Sequence, residues 1–296
     1  MHVDRWEVMD MKRSDLLTLA AAVVVCAGFG PGARAAFMIT DNLAGNNDFS
    51  ELERTIIREA QRQWTSRIRS INAVGRENFT IDYSKTDAFG NEVLAAADMY
   101  EQDQAGKPLR ARIRVNRNLE GSQSSFLDQT PGNNSEFMQV AGFPAYYVAR
   151  ENVTDPRTGF SVSTLIDFYS TAIHEIGHAL GFTIQYSRFA DRVGAPTPGG
   201  LRRFTFENGD FAVLTESADG THTVPGQIAT LNGMDYDQTH DLMNPVANPG
   251  ERLLPSELVL AMMAQAYGYK LTVIPSPAGA VVLAVWAAAP RRRRGA

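Results

Sequence analysis

Two histidines and a glutamate stand close together in the middle of the chain, as His174, Glu175 and His178. An α-helix turns 100° per residue, so side chains four residues apart point to nearly the same side, one turn apart along the axis. In a helix the two imidazoles therefore converge on one point, as ligands of a tetrahedral zinc ion do. A catalytic zinc site keeps one position for water and lowers the pKa of that water to about 7, so the neighbouring Glu175 can act as general base.

The residues around this triplet predict a helix within residues 163–182. Ser163 or Thr164 can cap its start, and Gly181 can adopt the left-handed conformation that ends it. Apolar residues recur at three- or four-residue spacing along one face, which predicts that the helix is buried. These residues are Leu165, Phe168, Ala172, Ile176 and Leu180. The alternative is a helix with two ordinary histidines and no metal, which the surrounding pattern and the small Gly177 disfavour.

The first 35 residues have the pattern of a secretory signal peptide. Two basic residues precede an apolar run that ends at the small-residue site Ala33-Arg34-Ala35. The mature chain is then expected to begin near Ala36, whether synthesis starts at Met1 or at Met11. This pattern predicts an exported protein.

Cysteine content and charge exclude several classes of function. The single cysteine, Cys26, lies inside the predicted signal peptide, so the mature chain has no disulfide and no cysteine nucleophile. The full chain carries 28 basic and 33 acidic residues, and removing residues 1–35 and Arg291 to Arg294 leaves 20 and 29. This acidic balance argues against nucleic acid or an anionic membrane as partner.

Residues 271–296 predict a C-terminal sorting or anchor segment. The order is Ile274-Pro275-Ser276-Pro277, an apolar run over residues 278–289, and four arginines. Twelve apolar residues are too few for a membrane span of about 20. The segment resembles the PEP-CTERM signal of exported bacterial proteins, with Ser276 where that family usually has Glu. The resemblance implies an exosortase-like partner, no stable membrane span after processing, and a secreted or cell-surface location. A weak hydrophobic anchor with a positive flank is the alternative.

Other elements are predicted from periodicity. An amphipathic helix is expected over about residues 48–70, and a terminal helix over residues 255–267. Alternating or β-prone runs predict strands at residues 79–83, 111–115, 201–206 and 211–215. Residues 117–136 are polar and predict a long loop.

The string from His174 to Phe182, HEIGHALGF, resembles the zinc helix of metzincin-type zinc metallopeptidases. The later stretch Asp241 to Pro245, DLMNP, resembles the turn of that clan that carries a methionine, here Met243. The resemblance implies an α+β fold over residues 36–270. In such a fold an N-terminal helix and mixed sheet lie over the zinc helix, and a smaller C-terminal lobe holds the Met-turn and the terminal helix.

The sequence departs from that family's pattern at the expected third ligand, because Ile184 stands where the third histidine usually follows. Leishmanolysin-like enzymes supply this histidine after a long insertion. The mature chain offers only His222 and His240 as further histidines. His240 adjoins the Met-turn, which the clan places under the metal, so the expected ligands are His174, His178 and His240. His222, or a carboxylate among Asp235, Asp237 and Asp241, remains the alternative.

The resemblance implies an exported zinc-dependent endopeptidase that hydrolyses protein or peptide substrates. In this reading Glu175 is general base and then general acid, and Met243 packs below the zinc ion. The alternative is a catalytically inactive extracellular structural or adhesion protein of the same fold. The missing histidine at Ile184 supports that alternative, whereas the intact Glu175 argues against it.

Overall fold

The computed structural model describes residues 37–71, 78–89, 93–119, 124–217 and 220–272. The predicted signal peptide and residues 273–296 of the predicted sorting segment lie outside these ranges. Within them, no helix is long and apolar enough to cross a membrane.

Helices and strands are both present in the described residues, so the predicted α+β class is confirmed. The α-helices are α1 (Glu51–Arg67), α2 (Phe168–Ala179), α3 (Ser187–Ala190) and α4 (Glu257–Tyr267). The strands are β1 (Met38–Asp41), β2 (Ile68–Ser70), β3 (Asn78–Thr86), β4 (Ala95–Gln102), β5 (Pro108–Asn116), β6 (Ser125–Phe126), β7 (Phe137–Gln139), β8 (Tyr146–Ala149), β9 (Ile166–Asp167), β10 (Leu201–Thr205), β11 (Phe211–Ser217), β12 (Gly220–Thr223), β13 (Ile228–Leu231), β14 (Met234–Asp237), β15 (Glu251–Leu253) and β16 (Lys270–Leu271).

Helix α1 and strands β3 and β5 of the first sheet were predicted from the sequence, whereas β1 and β4 were not. Helix α1 begins after Ser50, whose hydroxyl accepts from the backbone N–H of Glu53 while the Glu53 carboxylate accepts from that of Ser50. The sheet has the order β1-β3-β5-β4, with β4 antiparallel to β5 and the other pairs parallel. Helix α2 packs against α1 and against β4 and β5. The helix that carries the His-Glu-x-x-His string therefore lies in the protein core.

A second sheet follows α2 in the chain. Its order is β10-β11-β13-β14. Strand β12 pairs with the carboxyl-terminal half of β11. The sequence predicted strands only at residues 201–206 and 211–215, and both are confirmed. Strands β12, β13 and β14 were not predicted, because turns and polar residues interrupt this region. Three smaller sheets, β15-β8-β7, β16-β2 and β6-β9, join distant parts of the chain.

Helix α2 starts later than predicted. The segment Val162–Thr164 is a 3-10 turn, and the α-helix begins at Phe168 after the short strand β9. The cap is Asp167, whose carboxylate accepts from the backbone N–H of Ser170, so the expected cap at Ser163 or Thr164 is wrong. Asp167 caps the helix instead, and its carboxylate also binds Arg252. The local sequence does not reveal this long-range pair. The predicted end of the helix is confirmed, because Gly181 has a φ of 115°.

The middle of α2 is packed closely from two sides. Trp64 of α1 is fully buried and donates its indole N–H to the carbonyl of Ile173 at 2.9 Å. A Cβ atom at Gly177 would lie only 2.9 Å from the sulfur of Met243 and 3.0 Å from the ring of Trp64. Position 177 therefore has room for glycine alone while both neighbours keep their places.

A buried arginine connects three segments around the start of α2. The side chain of Arg252 is fully buried and pairs with Asp128 at 2.7 Å and Asp167 at 2.9 Å. Its guanidinium also lies between the rings of Phe137 and Tyr169, with centroid distances of 4.1 and 4.9 Å. Asp167 caps α2, so this arginine holds the start of the helix against the residues that precede β7.

We expect Arg252→Ala to lower the free energy of unfolding by about 3–5 kcal/mol, because it leaves two buried carboxylates without their cation. The control is Arg110→Ala, because the Arg110 side chain is 42% exposed in its pair with Asp82 and its loss should cost no more than about 1 kcal/mol. Urea unfolding of both variants measures the difference. Equal losses in the two variants would contradict this account of the α2 anchor.

Candidate metal centre

Three histidine side chains meet at one place: His174 and His178 from α2, and His222 from β12. The Nε2 atom of His178 lies 3.0 Å from Nε2 of His174 and 3.3 Å from Nε2 of His222. Among the described residues, this is the one group of three metal-binding side chains whose ligand atoms all lie within 4.8 Å of one another. The predicted convergence of His174 and His178 is confirmed.

Backbone carbonyls fix the orientation of two of the imidazoles. Nδ1 of His174 lies 2.7 Å from the carbonyl oxygen of Leu242, and Nδ1 of His178 lies 2.8 Å from that of Phe182. A carbonyl oxygen only accepts, so each Nδ1 carries the proton and donates it. In the neutral ring, Nε2 then presents its lone pair to the centre of the group.

The electrostatic environment keeps His178 neutral. Burial lowers its pKa well below the ordinary value, and the neighbouring His174 and His222 lower it further, while the bond to Phe182 acts in the opposite direction. A neutral imidazole is the form that binds metal.

The arrangement fits a metal ion. The Nε2 lone pairs of His174 and His178 face one another at 3.0 Å and repel, and a cation between them removes that repulsion. Nitrogen ligands of a tetrahedral zinc ion at 2.0–2.1 Å would lie about 3.3 Å apart, close to the observed separations. The three histidines could therefore hold a metal ion without a large rearrangement.

Strand β12 brings His222 to the helix. His222 is 1% exposed and lies opposite Thr215 of β11, between the fully buried Thr221 and Thr223. The hydroxyl of Thr221 accepts from the backbone N–H of Ile184 at 3.1 Å. The third imidazole thus comes from a strand that is bonded to the chain at Ile184, the very position where the resemblance expected a histidine.

His240 is not a member of this group. The expectation that His240, rather than His222, joins His174 and His178 is therefore wrong. Its ring stacks on Tyr146 with a centroid distance of 3.9 Å and an angle of 5°. It also meets the edge of Phe143, and its Nδ1 lies 3.8 Å from a carboxylate oxygen of Glu251. The His240 side chain thus covers the ring of Tyr146. The contact from this part of the chain to α2 is made by the backbone carbonyl of Leu242, which accepts from His174.

The carboxylates considered as alternative ligands also lie outside the group. Asp235 and Asp237 are exposed on β14. Asp241 is buried, and its carboxylate accepts from the hydroxyl of Ser256 at 2.6 Å and from the backbone N–H of Met243 at 3.0 Å. The third nitrogen of the group is therefore that of His222.

Glu175 lies on the same helix and faces a cavity of about 430 Å³ that His174 also lines. The residue is 8% exposed. The other walls come from the end of the first sheet at Leu94 and Ala95 and from the segment Asn244 to Ala247 after the turn. The arrangement places a carboxylate and one of the three imidazoles at the wall of a single cavity.

Local sequence reasoning missed the partners that orient the site. The carbonyls of Leu242 and Phe182 are backbone groups, which no residue pattern marks. The one usable signal for His222 was the β-prone run Thr221-His222-Thr223-Val224, which indicates a strand better than a loop.

A comparison with known proteins gives no match, neither to a protein-family model nor to a curated protein. The site is therefore defined by its own side chains, as a group of two histidines from α2 and one from β12, with a glutamate of α2 at a cavity wall.

We expect His222→Ala to weaken zinc binding by more than about 100-fold, since it removes one of three nitrogen ligands. His240→Ala should leave zinc affinity within about 2-fold of the unchanged protein. The measurement is titration of the metal-free protein against a competing chelator. Melting temperatures of both variants in excess chelator show that each is folded. Loss of binding in the His240 variant alone would contradict the assignment.

Proposed function

We propose that this chain is an exported zinc-dependent endopeptidase, similar to the metzincin-type metallopeptidases. The observation that carries the proposal is the convergence of three imidazole nitrogens, one of which belongs to His174, a residue that shares with Glu175 the wall of a cavity large enough for a peptide side chain. A metal-binding group with no open cavity would support only a structural metal site.

Zinc is the metal that the donor set favours. Three neutral imidazoles without a thiolate, and with room for one further ligand, are typical of catalytic zinc sites. The Nδ1–H bonds of His174 and His178 to backbone carbonyls are the outer contacts that metal-binding histidines usually make. Hard ions such as calcium and magnesium prefer oxygen ligands and fit this group poorly.

The residues of this chain supply binding, orientation and proton transfer. When bound, zinc supplies the Lewis acidity that lowers the pKa of a water molecule in the site to about 7. In the proposed reaction the Glu175 carboxylate accepts a proton from that water and later returns it to the amine of the cleaved peptide bond. Its 8% exposure limits the bulk water that competes for this proton.

The cavity fits a peptide substrate. Aliphatic side chains form much of its lining, and two of them, Val93 and Val246, are 42% and 65% exposed to solvent. The polar lining comes from Ser170, Thr171, His174 and Glu175 of α2 and from Asn244. A peptide chain offers both apolar side chains for such walls and a carbonyl group for the polar end.

Several features of the fold support the metzincin-like reading. A mixed sheet packs on the helix that carries the histidines, and α4 follows the turn. Met243 is fully buried and its sulfur packs at Gly177, the residue just before His178. The third histidine of the group, His222, comes well after Ile184, in keeping with the long insertion that leishmanolysin-like enzymes have before theirs.

The inactive structural or adhesion protein remains a different proposal with less support. Its best argument was the absence of a histidine at Ile184, and His222 now stands beside the other two histidines. The export and sorting proposals depend on residues 1–35 and 271–296 and on an exosortase-like partner. They would place the enzyme in the secreted or cell-surface fraction of a bacterium.

We expect Glu175→Gln to keep zinc affinity within a few-fold and to lower hydrolysis of a denatured protein substrate by about 10²–10⁴-fold, since the amide cannot accept the proton. Glu257→Gln, at an exposed position in the first turn of α4, is the control and should retain activity. Zinc content and initial rates are measured on the same preparations. Undiminished hydrolysis by the Glu175 variant would assign catalysis elsewhere, and a wild-type protein that binds zinc without hydrolysis would favour the inactive alternative.

A further inference from the structure

The turn Asp241 to Asn244 is bonded to both segments that carry the three histidines, α2 and β12. The carbonyl of Leu242 accepts from Nδ1 of His174 at 2.7 Å. The carbonyl of Met243 accepts from the backbone N–H of Thr223, the residue after His222, at 2.9 Å. Because these two carbonyls are adjacent, the conformation of the turn sets the position of His222 relative to His174.

Asp241 fixes that conformation from the inside. The residue is 2% exposed, and its Oδ1 accepts from the backbone N–H of Met243 at 3.0 Å. Its Oδ2 accepts from the hydroxyl of Ser256 at 2.6 Å, and the same hydroxyl caps α4 by accepting from the N–H of Val259. The carboxylate therefore ties the turn to a rigid helix end.

The hydroxyl of Thr223 completes the connection. It lies 2.8 Å from Oδ1 of Asn244 and 3.3 Å from Oδ1 of Asp241. The hydroxyl proton is thus shared between two acceptors, the nearer being Asn244, whose own amide donates to the carbonyl of Thr239. All of these groups are buried or partly buried, so an unmatched partner would be costly.

We infer that Asp241 is a positioning residue for the third metal ligand, acting through the turn and Thr223 on the strand that carries His222. The inference rests on the proposed three-histidine metal site but not on peptide hydrolysis. It explains why an acidic residue is buried close to a metal site without being one of its ligands.

The test compares Thr223→Val and Asp241→Asn with the conservative Thr223→Ser and with Ser50→Ala. Ser50→Ala removes the cap of α1, so it destabilises the fold without touching the turn. Competition with a chelator gives the zinc affinity of each metal-free protein, and visible spectra of the cobalt-loaded forms report the geometry at the metal. Thermal unfolding in excess chelator measures stability separately.

We expect Thr223→Val and Asp241→Asn to weaken zinc binding by about 10–100-fold and to change the cobalt spectrum, as loss of contacts behind metal ligands does. Thr223→Ser should stay within about 3-fold, and Ser50→Ala should bind normally although its melting temperature falls. Normal affinity in Thr223→Val overturns the inference, as does an equal loss in Ser50→Ala. If Asp241→Asn does not fold, the two Thr223 variants decide the question.

A wild-type protein that binds neither zinc nor cobalt would defeat the proposed function, and the inference is then judged on the metal-free protein. The imidazole ¹⁵N resonances of His222 should move in Thr223→Val and stay in place in Ser50→Ala. Unchanged resonances in Thr223→Val would reject the positioning role independently.

Discussion

The structure depends on holding three imidazole nitrogens close together in the protein interior. Nε2 of His178 lies 3.0 Å from that of His174 and 3.3 Å from that of His222. In the His174–His178 pair two lone pairs are opposed, an arrangement that favours a bound cation. The protein imposes it by binding Nδ1 of His174 and of His178 to backbone carbonyls, which fixes both the proton and the ring orientation. The remainder of the fold supplies those carbonyls and the strand that carries His222.

Close packing on α2 makes this geometry stable. Trp64 and Met243 both approach the helix at Gly177, and no larger residue fits there without displacement. At the end of the helix, Tyr267 donates its hydroxyl to the carbonyl of Gly181 at 2.7 Å, so α4 packs against the segment that follows the histidines. Contacts from α1, from the turn and from α4 thus hold helix α2 in place on several sides.

Local patterns predicted what local forces determine. The His-Glu-x-x-His helix, α1, α4 and strands β3, β5, β10 and β11 follow from periodicity and capping, whereas β1, β4 and β12 to β14 were not predicted. The start of α2 was misplaced because Asp167, which caps it, also binds Arg252 from far along the chain. The third member of the histidine group was misjudged for a similar reason: His240 is nearer the turn in sequence, but strand pairing with β11 and the bond from Ile184 to Thr221 bring His222 to the helix. Long-range pairing of this kind leaves no signal in residue spacing.

The most direct test of the central claim is a crystal structure of the zinc-loaded protein with an anomalous difference map at the zinc edge. The account predicts a single strong peak within about 2.0–2.1 Å of the Nε2 atoms of His174, His178 and His222. A peak beside His240 and Glu251, or a zinc ion bound by only the two helical histidines, would contradict it.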